Sequence, residues 1–126
     1  MRWWLVGLGG AVGSMLRYWL GGLTQQALPA TTFPVGTMAV NVTGCFAIGL
    51  LLELAERRAL LTPETHALLV VGVLGGFTTF SAFANDTFTA YRAGASTMAA
   101  VNVAASVSLC LVAVWLGRAA GAVSRW

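Results

Sequence analysis

Three long stretches of this chain contain no charged residue, and this feature limits its fold more than any other. The stretches are Tyr18–Leu52, Ala67–Asn85 and Ala93–Gly117. A helix crosses the hydrocarbon core of a bilayer with about 20 apolar residues. Charged residues make up 9% of the chain, whereas soluble domains carry roughly 25%. The sequence therefore predicts an all-α integral membrane protein whose first partner is the lipid bilayer.

A fourth apolar stretch lies near the N-terminus and is interrupted only by Arg17. Because the four stretches leave no room for a second domain, we predict one transmembrane domain over residues 1–126. Four thin helices form a small bundle in which to enclose a pore, so we also expect an oligomer. The predicted transmembrane helices are Trp3–Leu23, Phe33–Leu54, Ala67–Tyr91 and Thr97–Ala119.

The middle of the third predicted helix is poorly suited to an unbroken helix. The segment Gly75–Phe83 contains two glycines, two threonines and a serine. Glycine costs ~1 kcal/mol relative to alanine inside a helix, and hydroxyl side chains compete for backbone groups. Unwound backbone at membrane depth is tolerated where it is buried in protein, lines a water-filled path or holds an ion. We therefore predict a broken third helix, and this break is the first candidate for the functional site.

Small and polar residues recur every four positions in the other three predicted helices, so they share one face of each helix. This spacing lets transmembrane helices pack closely. Together with a broken helix it also fits a polar path through the bundle, and both interpretations stay open. The stripes are Gly9 with Gly13 and Gly10 with Ser14 in the first helix, Thr37, Asn41, Cys45 and Gly49 in the second, and Asn102, Ser106 and Cys110 in the fourth.

Arginines flank the predicted helices unevenly, and the positive-inside rule then places both termini in the cytoplasm. The opposite side carries Arg92, with Arg17 near the end of the first helix. The net charge of +3 is explained by this topology, and a nucleic-acid partner is not expected. The arginines on the side of the termini are Arg2, Arg57, Arg58, Arg118 and Arg125.

Ionisable residues inside a membrane segment are usually functional or paired. Arg17 can extend to the interface or concentrate anions at a vestibule mouth. Asp86 is expected to cap a helix or pair with an arginine. Glu53 and Glu56 can pair with the arginines that follow them.

The residues around the break suggest an anion path. Phe80 and Phe83 are three apart and share a helix face, and the edge of an aromatic ring is positive. Carbonyls that end the first half of a broken helix suit a cation. The candidate hydrogen-bond donors to an anion are Asn41, Thr79, Ser81 and Ser106.

The segments Gly9–Tyr18, Gly36–Phe46 and Gly72–Phe83, in this order, resemble the Fluc/CrcB fluoride channels. The resemblance covers essentially the whole chain. It implies an antiparallel, dual-topology homodimer in the cell (inner or plasma) membrane. Such a dimer contains two separate pores, which export fluoride passively and so confer fluoride resistance.

The resemblance also implies roles for individual residues. Phe80 and Phe83 would line the pore with Asn41, beside the hydroxyls of Thr79 and Ser81. Backbone carbonyls of Gly75 and Thr78 from both subunits would hold a central sodium ion, and Arg17 would lie at a vestibule or at the dimer interface. In the fourth helix Ser106 follows the family pattern. The chain departs from that pattern at Ala82, which replaces a threonine, at Asn102, which replaces a tyrosine, and at Cys110.

Other interpretations remain open at this stage. The arginine bias fits a heterodimer with an oppositely oriented paralogue as well as a homodimer. A small proton-coupled multidrug exporter would need a carboxylate in the first helix, and this chain has none there. A non-conducting assembly protein would use the stripes for packing only. An enzyme is not expected, because the sequence places no nucleophile near His66.

Overall fold

The computed structural model describes residues 2–58 and 61–123, and every regular element in these ranges is helical. Of the arginines in the predicted charge bias, Arg125 lies outside the described part, and so does the side chain of Arg58. The elements are α1 (Trp3–Ala27), α2 (Val35–Arg58), α3 (Pro63–Thr65), a π-helix (His66–Leu74), α4 (Gly75–Phe77), α5 (Phe80–Arg92) and α6 (Ser96–Val123).

Three helical segments of the described residues are long and apolar enough to cross a membrane. They are Val35–Arg57, Pro63–Arg92 and Ser96–Val123. Helix α1, the first predicted span, has 25 residues and is as long as α2, but it is not one of these three. The chain is therefore a multi-pass, all-helical membrane protein.

The third span, Pro63–Arg92, begins four residues before the predicted start at Ala67. Thr62 caps it through a hydrogen bond from the Thr65 amide to Thr62 Oγ1 (3.2 Å), and Pro63 is its first helical residue. Proline suits this position because the first amides of a helix have no partner within it. The π-helix that follows, from His66 to Leu74, is not apparent from the sequence.

The predicted break in the third span is confirmed, and it is confined to two residues. Thr78 and Thr79 have extended backbone, with ψ angles of 154° and 114°. Helix α5 restarts at Phe80, where the Ala82 amide donates to Thr79 Oγ1 at 3.2 Å. The third span is thus two helical segments joined at Thr78-Thr79.

The glycines of α1 let it pack directly on the backbone of the third span. A Cβ on Gly72 would lie 2.9 Å from Gly9 Cα, and one on Gly76 would lie 2.6 Å from the Gly10 carbonyl oxygen. A Cβ on Gly13 would collide with the Val73 carbonyl oxygen. The small-residue stripe of the first helix therefore serves helix packing, one of the two roles that the sequence left open.

Helices α2 and α6 run side by side and end in a cluster of charges. Arg118 Nη1 donates to Glu53 Oε2 (3.1 Å) and to Glu56 Oε2 (3.2 Å). Arg57 Nε donates to Glu53 Oε1 at 2.7 Å, as the sequence predicted. The two contacts of Arg118 join the C-terminal ends of α2 and α6.

We expect Gly13→Ala to lower the free energy of unfolding by about 1–3 kcal/mol, the usual cost of inserting an atom into packed structure. The added methyl group would force α1 away from the Val73 carbonyl. The measurement is an SDS titration of the purified protein in mild detergent. Gly7→Ala is the matched control, because nothing lies within 4 Å of a Cβ at Gly7. Equal stability of the two variants would contradict the packing role.

Candidate functional site

The side chain of Asn41, on α2, holds the backbone at the break. Its Oδ1 accepts from the Thr79 amide at 2.8 Å, and its Nδ2 donates to the Thr79 carbonyl oxygen at 3.0 Å. Both polar backbone groups of Thr79 are thereby satisfied, although Thr79 is buried and belongs to no regular element. An amide that pairs with one residue's N–H and C=O positions that residue closely.

The break removes the helical donors of four consecutive carbonyl groups, Gly75 to Thr78. In a continuous helix the Thr79 amide would donate to Gly75 and the Ala82 amide to Thr78. The first amide instead donates to Asn41 and the second to Thr79 Oγ1. Gly75 and Thr78, the two predicted sodium ligands, are therefore two of the four residues from Gly75 to Thr78 whose carbonyl oxygens lose their helical donors at the break.

A cavity of about 390 Å³ lies against the break, between α2, the third span and α6. Most of its wall is apolar, and the side chains of Cys45 and Cys110 also line it. The structure thus brings most of the predicted site into one cavity. The predicted site residues in its wall are Asn41, Gly75, Thr78, Thr79, Phe80, Phe83 and Ser106.

Phe80 and Phe83 are in contact, as their spacing predicted. Their ring centroids are 5.3 Å apart, and the ring planes are tilted by 49°. This centroid separation lies within the range at which aromatic rings interact favourably. Phe80 is 78% exposed in the single chain, so one side of this aromatic wall is open.

A chain of hydrogen bonds leads away from Phe83 into the bundle. Thr87 Oγ1 donates to the Phe83 carbonyl (2.7 Å), and Asn102 Nδ2 donates to Thr87 Oγ1 (2.8 Å). Ser106 Oγ donates to Asn102 Oδ1 at 3.2 Å. Asn102 and Ser106 are buried, and their hydroxyl and amide groups form a continuous polar track with Thr87. The sequence analysis missed Thr87, although its spacing of four from Phe83 places both on one face of α5.

The polar stripes of α2 and α6 face each other in register. Glu53 pairs with Arg118, 65 residues further on. Gly49 packs against Val114 at the same offset, where a Cβ would collide with the Val114 carbonyl oxygen. The two helices therefore run parallel, and the offset also sets Asn41 opposite Ser106, both of which line the cavity.

A second cavity, of about 500 Å³, lies beyond the break and contains Arg17. Thr37 Oγ1 donates to Asp86 Oδ2 there at 2.7 Å. The expectation that Asp86 caps a helix or pairs with an arginine is wrong: among the described residues its partner is Thr37, and it forms no ion pair. Thr79 lines both cavities, so the break separates them.

Ser81 lies at the edge of this arrangement. Its hydroxyl is within 3.1 Å of Thr79 Oγ1, and either oxygen can donate. Ser81 lines neither of the two cavities. The structure therefore connects it to the site through Thr79.

Comparison with known proteins identifies relatives that match most of the chain. Residues 4–118 match the family described as "CrcB-like protein, Camphor Resistance (CrcB)". The "Fluoride-specific ion channel FluC" of Solibacter usitatus is 47% identical over 93% of this chain and 95% of its own length. The proteins of the same name from Rhizobium etli and Geobacter sulfurreducens are 48% and 50% identical over 91% and 86% of both chains. These relatives are named as ion channels and not as enzymes.

Asn41→Ala should destabilise the break, because it leaves the N–H and C=O groups of a buried residue without partners. An unsatisfied buried polar group costs about 1–3 kcal/mol. We expect a loss of this size in the free energy of unfolding, measured in mild detergent. Thr43→Ala, at an exposed position of the same helix, should change it by less than about 0.5 kcal/mol. An Asn41→Ala variant as stable as Thr43→Ala would show that the pairing with Thr79 does not contribute to the free energy of unfolding.

Proposed function

The chain belongs to the CrcB family, and we propose that it is a fluoride-specific channel through which fluoride leaves the cell passively, down its electrochemical gradient. The observation that carries the proposal is the pair of cavities separated by the Asn41-held break. Such a channel relieves toxicity when hydrogen fluoride enters a cell and dissociates. The channel would lie in the cell (inner or plasma) membrane. Helix α1 would cross the membrane in addition to the three long apolar segments, which gives four transmembrane helices.

The proposed path begins at the second cavity. Arg17, which lines it, would raise the local concentration of anions. The path then passes Thr79, which lines both cavities, and enters the first cavity beside Phe80 and Phe83. It continues along Ser106 and Asn102, the buried polar groups of α6.

Selectivity would come from the small number of donors in an otherwise apolar cavity. Dehydrating a small anion is costly, and each charge-assisted hydrogen bond offsets part of that cost. The hydroxyls of Ser106, Thr79 and Ser81 can rotate toward an anion. Asn41 Nδ2 carries a second N–H besides the one donated to Thr79. The positive edges of Phe80 and Phe83 would complete the coordination.

The single chain leaves this path open on one side, which supports a dimer. Phe80 is 78% exposed although it lines the cavity, and Phe88 and Tyr91 of the same helix are also exposed. We propose an antiparallel, dual-topology homodimer in which each pore is closed by the partner. The alternative is a heterodimer with an oppositely oriented paralogue, which the uneven distribution of arginines also fits.

Gly75 and Thr78 fit a central sodium ion. Their carbonyl oxygens lack the donors of a continuous helix, and carbonyl oxygens are suitable ligands for hard cations. The same two residues of both subunits would hold the ion at the two-fold axis. The sodium ion would place a fixed positive charge between the broken third spans of the two subunits.

Phe80→Ile and Phe83→Ile should each slow fluoride efflux from proteoliposomes by roughly tenfold or more, which corresponds to a barrier increase of ~1.4 kcal/mol. The aliphatic side chain keeps the bulk and removes the positive ring edge. A fluoride electrode measures the efflux, and a chloride electrode tests selectivity. Phe88→Ile is the matched control, since Phe88 lies on the same helix and lines neither cavity. Wild-type flux in all three variants would remove the pore assignment.

The dual-topology assembly predicts two orientations of the chain in one membrane. The variants carry one cysteine at either terminus, and Cys45 and Cys110 are replaced by serine. An impermeant thiol reagent should label roughly half of the copies, because a chain with balanced topology inserts in both orientations. Labelling of intact cells measures this fraction. A single orientation for every copy would exclude the antiparallel homodimer and favour the heterodimer.

A further inference from the structure

The two cysteines of this chain come together in the wall of the first cavity. Cys45 lies on α2 and Cys110 on α6, and they are the only cysteines in the sequence. Neither forms a disulfide, and both residues line the cavity of about 390 Å³ beside the break. The family resemblance gives no role to either residue.

The register of α2 and α6 fixes this pairing. Cys45 and Cys110 have the same sequence offset as Glu53 and Arg118, which form an ion pair. One helical turn beyond the cysteines, Gly49 packs on the backbone of Val114. The thiols are therefore held opposite each other by a glycine contact and an ion pair on the same helix faces.

The surroundings of the thiols select one class of ligand. Among the described residues that line this cavity there is no histidine, aspartate or glutamate. A zinc site needs four strong ligands, and only two are present here. Soft thiolate ligands prefer soft cations such as Cu⁺, and d¹⁰ cations of this class, including Ag⁺ and Hg²⁺, accept two thiolates in a linear arrangement.

We propose that Cys45 and Cys110 form a two-coordinate site for a soft, thiophilic cation in the wall of the cavity. With mercuric chloride as the probe, two S–H bonds break, two Hg–S bonds form, and two chloride ions and two protons are released. Mercury remains divalent, so no oxidant or reductant is required. This metal lies beside Phe83 and Ser106, which line the same cavity.

Occupation of the site obstructs the ion path. This second part rests on the proposed fluoride channel, whereas the binding part does not. The experiment therefore measures metal binding and fluoride flux separately.

Binding is measured on the purified protein in detergent, by the ultraviolet absorption of the Hg–S bonds and by free-thiol counts. We expect one Hg²⁺ per chain, with both thiols consumed, and retention of the metal against excess 2-mercaptoethanol. Cys45→Ser and Cys110→Ser should each lose the metal to 2-mercaptoethanol, because each variant keeps one thiol and can no longer chelate the metal. Zn²⁺ should not bind. Two Hg²⁺ per chain, or equal loss of metal from wild type and single variants, would overturn the site.

Fluoride efflux from proteoliposomes is then measured with mercuric chloride and 2-mercaptoethanol present. We expect efflux of the wild type to fall by roughly tenfold or more, a barrier increase of ~1.4 kcal/mol, and to recover with a dithiol chelator. The flux of the Cys45→Ser, Cys110→Ser and doubly substituted proteins, each compared with its own flux before metal is added, should not fall with mercuric chloride. Unchanged flux in a metal-loaded wild type would overturn the obstruction. Absence of flux before metal is added would instead count against the channel. The binding measurement would still show whether Cys45 and Cys110 form a metal site.

Discussion

The double hydrogen bond between Asn41 and the backbone of Thr79 is the interaction on which the site depends. It joins α2 to the third span across 38 residues of sequence. Without it, extended backbone in the bilayer interior would bury an N–H and a C=O without partners, and each such group is costly there. With it, the break becomes a fixed structural element. The same pairing diverts the Thr79 amide from Gly75, so one side chain both stabilises the break and frees a carbonyl oxygen.

A rigid frame surrounds this break. Helix α1 contacts the first half of the third span through glycines, and α2 contacts α6 through Gly49 and Val114. Helix backbones at such short separations cannot slide past each other without collision, so the register of each pair is set by steric contact. The polar groups are then placed as a consequence of packing. Small residues and polar residues therefore have linked roles: the first bring the helices together, and the second meet because of it.

Much of the fold and part of the site could be predicted from sequence. Hydropathy indicated the helices, glycine and threonine content indicated the break, and helical spacing indicated the contact between Phe80 and Phe83. The roles of Asn41 and Asp86 were harder to predict. Asn41 was expected to donate to an anion, and its amide holds Thr79. Asp86 was expected to cap a helix or pair with an arginine, and it accepts from Thr37. The π-helix and the link through Thr87 were not predicted at all, because neither leaves a distinct pattern of hydrophobicity.

The sequence by itself determined the properties that depend on near neighbours: membrane insertion, the faces of the helices, and the position at which the third span is interrupted. Only the tertiary structure decided which stripe faces which, and therefore that Asn41 meets Thr79, that Thr37 meets Asp86 and that Cys45 and Cys110 line one cavity. The physical reason is that a helical pattern specifies a face but not its partner. The partner follows from the close approach of whole helices, which is set by steric contacts between residues far apart in the chain.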